Sequence, residues 1–264
     1  MEEARNAAYP LGCTTACKHP EDDLLVACRK FVATICSSTR SIAYRMADNH
    51  DPRCRQCRRE GVKLYLKGDK CYKKCTLEKT SRDGKTQWRN KPPGMHGAPA
   101  FSKKITEYGQ QLREKQKLRR IYRVLEKQFA NYLTEALRLP GVTGENLLQL
   151  LETRLDNVIY RFGYASSRAQ ARQMVTHRHF TINGHRVNIP SYIVKPGDVI
   201  GVHETMSQSG VIKEARERVH SRRQVPLWME FNNNSLEGRI VAKPTRDQID
   251  TQVHEQLIIE FYSR

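Results

Sequence analysis

Four cysteines in the first third of the chain have the spacing of a metal site. Cys54 and Cys57 form a Cys-x2-Cys pair, and Cys71 and Cys75 form a Cys-x3-Cys pair after a short loop. Two close pairs of this kind supply the four thiolates of a tetrahedral zinc ion, each pair from one turn, with the intervening chain folding back. Gly61 and Gly68 are placed for the turns. Four protein sulfurs leave no open position for water or substrate, so the expected role of Zn2+ is structural: it orders a loop too polar to fold around a core of its own. The remaining cysteines, Cys13, Cys17, Cys28 and Cys36, lack a second close pair. No secretory leader is read ahead of them, so reduced thiols are expected rather than a disulfide framework.

Around the thiols lie Arg53, Arg55, Arg58 and Arg59, then Lys70, Lys73 and Lys74. A knuckle with this charge suits phosphate, although the same cations also favour the thiolate. Further along, Leu118, Ile121, Tyr122, Leu125, Phe129, Tyr132, Leu133 and Ala136 hold an apolar helical stripe from Tyr108 to Leu139. Arg113, Lys115, Lys117, Arg119, Arg120, Arg123 and Lys127 occupy its other faces against Glu114 and Glu126, the balance of a helix facing nucleic acid. Arg168 and Arg172, at i and i+4, share one face of a later helix, with Arg154, Arg161, Arg178 and Arg186 nearby and Asp156 and Glu152 opposing. A solvated helix face is the plain alternative. On either reading their replacement is expected to cost little stability.

The charge is concentrated. The chain has 264 residues and a formal charge of +18, yet residues 51–130 alone hold 23 basic and 8 acidic side chains. Residues 1–50 hold 6 of each. A block that repels itself in any compact fold calls for a polyanion. No apolar run approaches the ~18–20 residues of a membrane span, and no amphipathic helix with Trp or Phe accompanies the charge.

The elements that must carry these groups can be read locally. From Arg154 to Gly184 the pattern is helix, turn, helix, strand and hairpin turn. Leu155, Val158, Ile159 and Phe162 line the first helix and Gly163 ends it. Ser167 and Gln170 form a capping box for the second helix, whose inner stripe is Ala171, Met174 and Val175. Phe180–Ile182 and His185–Val187 flank Asn183-Gly184, a two-residue hairpin signal. Thr143 caps the helix before this module. Ser191–Val194 and Val199–Val202 are expected as strands, Met206–Val225 to include a helix, and residues 255–264 to form a strand. Thr80–Ser102, rich in Gly, Pro and Lys, reads as an extended linker in which His96 faces RNA or solvent. Leu24–Ile35 reads as a short helix. The fold class is α+β: a mainly helical basic domain with an N-terminal zinc knuckle, and an inserted helix-helix-hairpin RNA-binding module with a small β-sheet. The expected division is an extension over 1–45, a basic domain over 46–152, the module over 153–220 and a C-terminal segment over 221–264 packing back on the domains.

The helix-helix-hairpin run resembles the RNA-binding domain named after the fourth protein of the small ribosomal subunit. Five segments in order, CRQCRREGVKL at 54–64, PPGMHG at 92–97, LREKQKLRRIY at 112–122, ETRLDNV at 152–158 and EFYSR at 260–264, resemble the bacterial-type family of that ribosomal protein itself. Residues 1–45 have no counterpart in it. The resemblance implies a non-enzymatic, structural constituent of the small subunit that clamps a multi-helix junction of 16S rRNA early in assembly. It also implies contact with the fifth small-subunit protein and other subunit components, an effect on decoding accuracy, and residence on a cytoplasmic or organellar ribosome, with neither membrane nor DNA as partner. The competing class is an RNA-modifying or RNA-targeting enzyme using the same module. It would need a catalytic domain, and no phosphate-binding glycine loop, HExxH or nucleophile constellation is present. His177-x-His179 lies in the turn before the hairpin, where contact with RNA or solvent is expected.

Overall fold

In the computed structural model, which describes residues 51–80, 86–88, 92–95, 104–207, 210, 212, 214–215, 225–232 and 236–263, the thiol-bearing segment folds as two short helices. α1 spans Arg53–Glu60 and ends on Gly61 at φ 70°, a left-handed cap that suits glycine. α2 spans Asp69–Lys73 and starts from Gly68 at φ 59°. A Cβ on Gly68 would stand 2.8 Å from Ser166 Oγ and 2.9 Å from Ser166 O, so the loop presses directly on the turn before the module's second helix. The helix expected at 24–35, the extension over 1–45 and His96 lie outside the described residues.

The segment expected as a linker from Thr80 begins instead with a hairpin, β1 (Glu78–Thr80) pairing antiparallel with β2 (Thr86–Trp88). The five residues that join the strands, 81–85, lie outside the described residues. The basic helical stretch divides into α3 (Glu107–Tyr122) and α4 (Glu126–Arg138), because Arg123 turns left-handed at φ 56°. Thr106 caps α3 by accepting the Gly109 N–H. α5 (Thr143–Glu152) packs on α4. The C-terminal residues expected as a strand form α9 (Glu255–Tyr262), which packs on α3 and α5. Leu257, Ile258, Phe261 and Tyr262 recur at helical spacing, and Gly144 admits the helix closely: a Cβ there would lie 2.7 Å from that of Glu255.

α6 (Leu155–Phe162) and α7 (Arg168–Thr176) form the helical pair of the module. Gly163 closes α6 at φ 86°. Ser167 Oγ accepts the Gln170 N–H, but Gln170 Oε1 accepts from Ser166 N at 3.0 Å, one residue earlier than the capping box requires. β3 (Phe180–Ile182) and β4 (His185–Val187) flank Asn183 at φ 50° and Gly184 at φ 84°, the backbone of a type I′ turn. With β5 (Val199–Val202), β6 (Met229–Asn232) and β7 (Glu237–Ile240) they make an antiparallel sheet in the order β4-β3-β5-β7-β6. α8 (Glu204–Ser207) follows β5. Ser191–Val194 is irregular instead of a strand, since its backbone serves the start of α6. Leu155 N donates to Tyr192 O at 2.8 Å and Val194 N donates to Thr153 O at 2.9 Å. Helices with a two-stranded and a five-stranded antiparallel sheet make the architecture α+β. Among the described residues no helix is long and apolar enough to cross a membrane.

Two apolar cores result. One joins Leu64, Leu66 and Leu77 to α3, α4, α5 and Ile249, Val253 and Ile258. The other lies between α6, α7 and the sheet. A buried polar network connects the elements around them. Glu152, at the end of α5, accepts from Arg161 Nη2 at 2.7 Å and Nε at 3.0 Å, from Tyr122 OH at 2.5 Å and from Asn157 Nδ2 at 2.5 Å. Arg161 also reaches Asp250 at 2.7 Å, and Tyr122 OH lies 3.2 Å from Thr251 Oγ1. Burial pushes Glu152 upward, but the Arg161 charge and its hydrogen bonds, with help from Arg168 and Tyr122, hold the carboxyl down at about 2.

Glu152→Gln keeps the volume and removes the charge, leaving Arg161 without its buried partner, and is expected to cost about 3–5 kcal/mol in urea denaturation. Because the folded value of about 2 lies below the ordinary 4.5, this stabilisation is complete above pH 4.5 and is lost as pH falls toward 2. The native protein therefore loses more stability over that window than Glu152→Gln does, and equal losses would contradict the assignment.

Candidate nucleic-acid interface

The thirteen cations expected to meet RNA fall into two groups. Arg55, Arg59 and Arg178 are exposed, the first two on α1 and the third at φ 60° in the turn after α7. Lys67, Lys70, Lys73 and Lys74 are exposed beside them along the thiol-bearing loop and α2. These side chains are available to phosphate as they stand. Arg58 is half-buried.

The others are engaged within the protein. Arg53 Nη1 donates to Leu66 O at 3.4 Å. Arg113 stands 3.5 Å from Glu60, and Arg120 is bonded to the same carboxylate, whose side chain is only 2% exposed. Burial raises the Glu60 carboxyl, against the pull of Arg120 and Arg113. Lys115 is buried on Glu126 at 2.7 Å and lies 4.5 Å from the Phe261 ring, and Arg119 meets the other oxygen of Glu126 at 3.0 Å. Burial opposes the charge on Glu126, but Lys115, Tyr262 and Arg119 hold its carboxyl below the ordinary range. Lys117 pairs with Glu114 at 3.4 Å.

The module's arginines are also more deeply committed than their spacing implies. Arg154 is fully buried, donating to both oxygens of Asp156 at 3.2 and 2.9 Å and to Tyr132 OH at 2.6 Å. Arg172 lies 3.4 Å from Asp156. Arg168 Nε donates to Asn157 Oδ1 at 2.7 Å, and its guanidinium lies 4.5 Å from the Tyr160 ring and 5.0 Å from that of Tyr122. The expectation that Arg168 and Arg172 are freely replaceable is therefore corrected: both stand in packed, hydrogen-bonded positions. Arg154 serves the interior and not the surface.

Sequence reasoning passed over an aromatic pair. Tyr65 and Tyr72 are 39% and 36% exposed, with ring centroids 5.0 Å apart. Their signal was present, since each is interleaved with lysines, Lys63 and Lys67 around one and Lys70, Lys73 and Lys74 around the other. Exposed rings among cations are the makings of a base-stacking surface. At the other end of the module, His177 and His179 stack at 5.9 Å, and Arg186 is bonded to His203. Burial, His177 and His203 lower the His179 ring.

The four candidate ligand thiols are all unbridged, Cys57 and Cys71 buried and Cys54 and Cys75 half-buried. Burial pushes Cys57 up to about 11, and each of the other three thiols adds to the rise, so each lies within electrostatic reach of Cys57. Lys67 N donates to Cys71 Sγ at 3.3 Å, and the Leu64 backbone is hydrogen-bonded to Cys57. Among the described residues no group of three or more His, Cys, Asp or Glu is arranged to hold a metal ion. In kind, number and backbone bonding the sulfurs fit a thiophilic ion. In position they must draw together to bind it.

Comparison with known proteins adds a second line of evidence. A family model described as the ribosomal protein S4/S9 N-terminal domain matches residues 48–152, and one described as the S4 domain matches residues 153–200. The chain is 56% identical over 212 residues to small ribosomal subunit protein uS4 of Pelotomaculum thermopropionicum, covering 80% of this chain and 96% of that one. It is 54% identical over 220 residues to the uS4 protein of Desulforamulus reducens, covering 83% and 100%. The corresponding protein of Heliobacterium modesticaldum is 51% identical over 220 residues, covering 83% and 100%.

The two groups of cations should separate experimentally. Arg120→Ala strips Glu60 of a charged hydrogen bond and is expected to lower stability by about 1.5–3 kcal/mol. Arg55→Ala with Arg59→Ala should leave stability within about 0.5 kcal/mol while flattening the salt dependence of binding to structured RNA. Thermal melts and salt-titrated filter binding decide it; an unchanged melt for Arg120→Ala would place that side chain on the outer face.

Proposed function

The chain belongs to the uS4 family of small ribosomal subunit proteins, and we infer from that membership that it works as a structural, non-enzymatic constituent of the small subunit, bound to 16S rRNA. The observation that carries this is identity above one half across 96–100% of the relatives' length. The exposed cations of α1, α2 and the α7–β3 turn support it, because they form a sequence-independent phosphate contact while the packed arginines behind them keep the surface rigid. We assign the protein to the early, primary class of rRNA binders that organise the subunit body. Neighbouring small-subunit proteins, including the fifth, are its proposed protein partners, and accuracy of decoding its proposed influence. Its place is the ribosome, and the bacterial relatives favour the cytoplasmic one.

The thiol loop is proposed as a structural Zn2+ site with Cys54, Cys57, Cys71 and Cys75 as ligands. A bound ion would supply charge to stabilise four thiolates and would cross-link α1 to α2. The residues themselves provide the sulfurs, the Lys67 N–H aimed at Cys71, and the glycine turns that bring the two pairs together.

Two measurements test these assignments. The purified protein should bind a 16S rRNA transcript in preference to duplex DNA at matched salt, with affinity falling log-linearly as salt rises; equal affinity for both would remove the rRNA reading. Elemental analysis should return one zinc per chain, and chelation or Cys71→Ser should open residues 53–76 to protease while the module at 154–202 stays protected. A metal-free protein that resists protease equally well would show that the thiols need no ion.

A further inference from the structure

A cleft of about 610 Å³ opens where the thiol-bearing loop meets α3 and the module; Lys63, Tyr65, Tyr72, Lys117, Tyr160 and Arg168 are among its lining residues. That volume lies in the ~300–1,000 Å³ range of sites that enclose a small ligand. Its two arginines differ in a way that matters. Arg161 has Nε and Nη2 on Glu152 and Nη1 on Asp250. Arg168 commits only Nε, to Asn157, and is braced against the Tyr160 and Tyr122 rings. Its two terminal nitrogens make no hydrogen bond among the described residues, so a planar fork of donors is held in place without a partner.

The same cleft carries the Tyr65–Tyr72 pair, whose planes tilt by 33° and whose residues are both partly exposed. Lys63 and Lys117 add charge, each partly offset by Glu78 at 2.6 Å and Glu114 at 3.4 Å. Lys63, Lys117 and Arg161 are thus each paired with a carboxylate, and Arg168 is the lining cation with no ion pair among the described residues. An aromatic surface takes the π face of a base, and a guanidinium fork takes two oxygens of a phosphate. A base stacked within a duplex does not present its face to the rings, whereas an unstacked one does.

We propose that this cleft receives a single unstacked nucleotide of the bound RNA, with its base against Tyr65 and Tyr72 and its phosphate on the terminal N–H groups of Arg168. The assignment deepens the rRNA-binding reading and rests on it. Gly68, seated on Ser166, fixes the loop that bears the tyrosines against the turn that starts the helix of Arg168, so the two halves of the site are in register before RNA arrives.

The test uses the full chain and a 16S rRNA transcript. Tyr65→Ala with Tyr72→Ala removes exposed rings, so melting should hold, while affinity should fall about 5- to 150-fold with an unchanged salt slope, as loss of base stacking requires. Tyr72→Trp should bind like the native chain. Arg168→Lys keeps the charge but loses both the fork and the Asn157 bond, so its affinity is compared well below its own melting point, where it should be weaker with an unchanged slope. Chemical probing should show one base that the native protein shields and the double alanine variant exposes, within an otherwise retained footprint. The proposal is overturned if the tyrosine variant binds with native affinity and footprint, or if its loss comes with a flatter salt slope, which would mark a phosphate contact alone. Failure of the native chain to prefer the transcript over duplex DNA would instead overturn the rRNA reading.

Discussion

Glu152 and Arg161 are both withdrawn from water, with side chains 1% and 7% exposed, and each is tolerable there only because of the other. Taking either charge out of solvent costs several kcal/mol, and a two-point contact with every remaining lone pair satisfied is what offsets it. The partners that complete the set come from four places in the chain. Tyr122 ends α3, Glu152 ends α5, Asn157 and Arg161 lie on α6, and Asp250 and Thr251 belong to the returning C-terminal segment. Asn157 then passes the order outward, since the oxygen not used by the network fixes Arg168. The position of a surface arginine is thereby set by a carboxylate that no solvent reaches.

The same logic recurs around the molecule in a form that preserves charge. Glu60 serves Arg113 and Arg120, Glu126 serves Lys115 and Arg119, and Asp156 serves Arg154 and Arg172. A carboxylate shared by two cations rigidifies both and neutralises one. Each such triad keeps a net positive charge at a defined place, which is a different thing from a set of solvated lysines. Long-range attraction of a polyanion depends on the net charge and survives the pairing, while the entropy lost on docking is reduced for every side chain already held.

Local pattern carried the module well because its signals are short-range. The αL glycine at 163, the Ser167 cap and the Asn183-Gly184 turn each act within a few residues, and each is where spacing placed it. The errors lie where the deciding partner is distant. Residues 255–264 alternate weakly and so read as a strand, whereas the helical state of α9 is settled by packing on α3, with Gln111 bonded to Glu260. β6 and β7 carry only weak local signals, and pairing of β7 with the central β5 gives them their place. The cations of α3 looked outward for a similar reason: Arg120 meets its carboxylate 60 residues away, and no count within the helix reveals that. Tyr65 and Tyr72 were legible as types but not as a pair, because two separate turns bring their rings together.

Closure of the first apolar core by the end of the chain has a consequence for synthesis. Ile249, Val253 and Ile258 pack among residues of α3 to α5, Tyr122 lies against Thr251 across 129 positions, and Gln111 reaches Glu260 across 149. A chain made from its N-terminus therefore extrudes the basic helices with part of their apolar surface bare until residues 249–258 follow. The second core is separate, and it too takes in late residues, Trp228, Met229 and Ile240. Loss of the segment that carries Ile249, Val253 and Ile258 would leave that face of α3 to α5 without its cover.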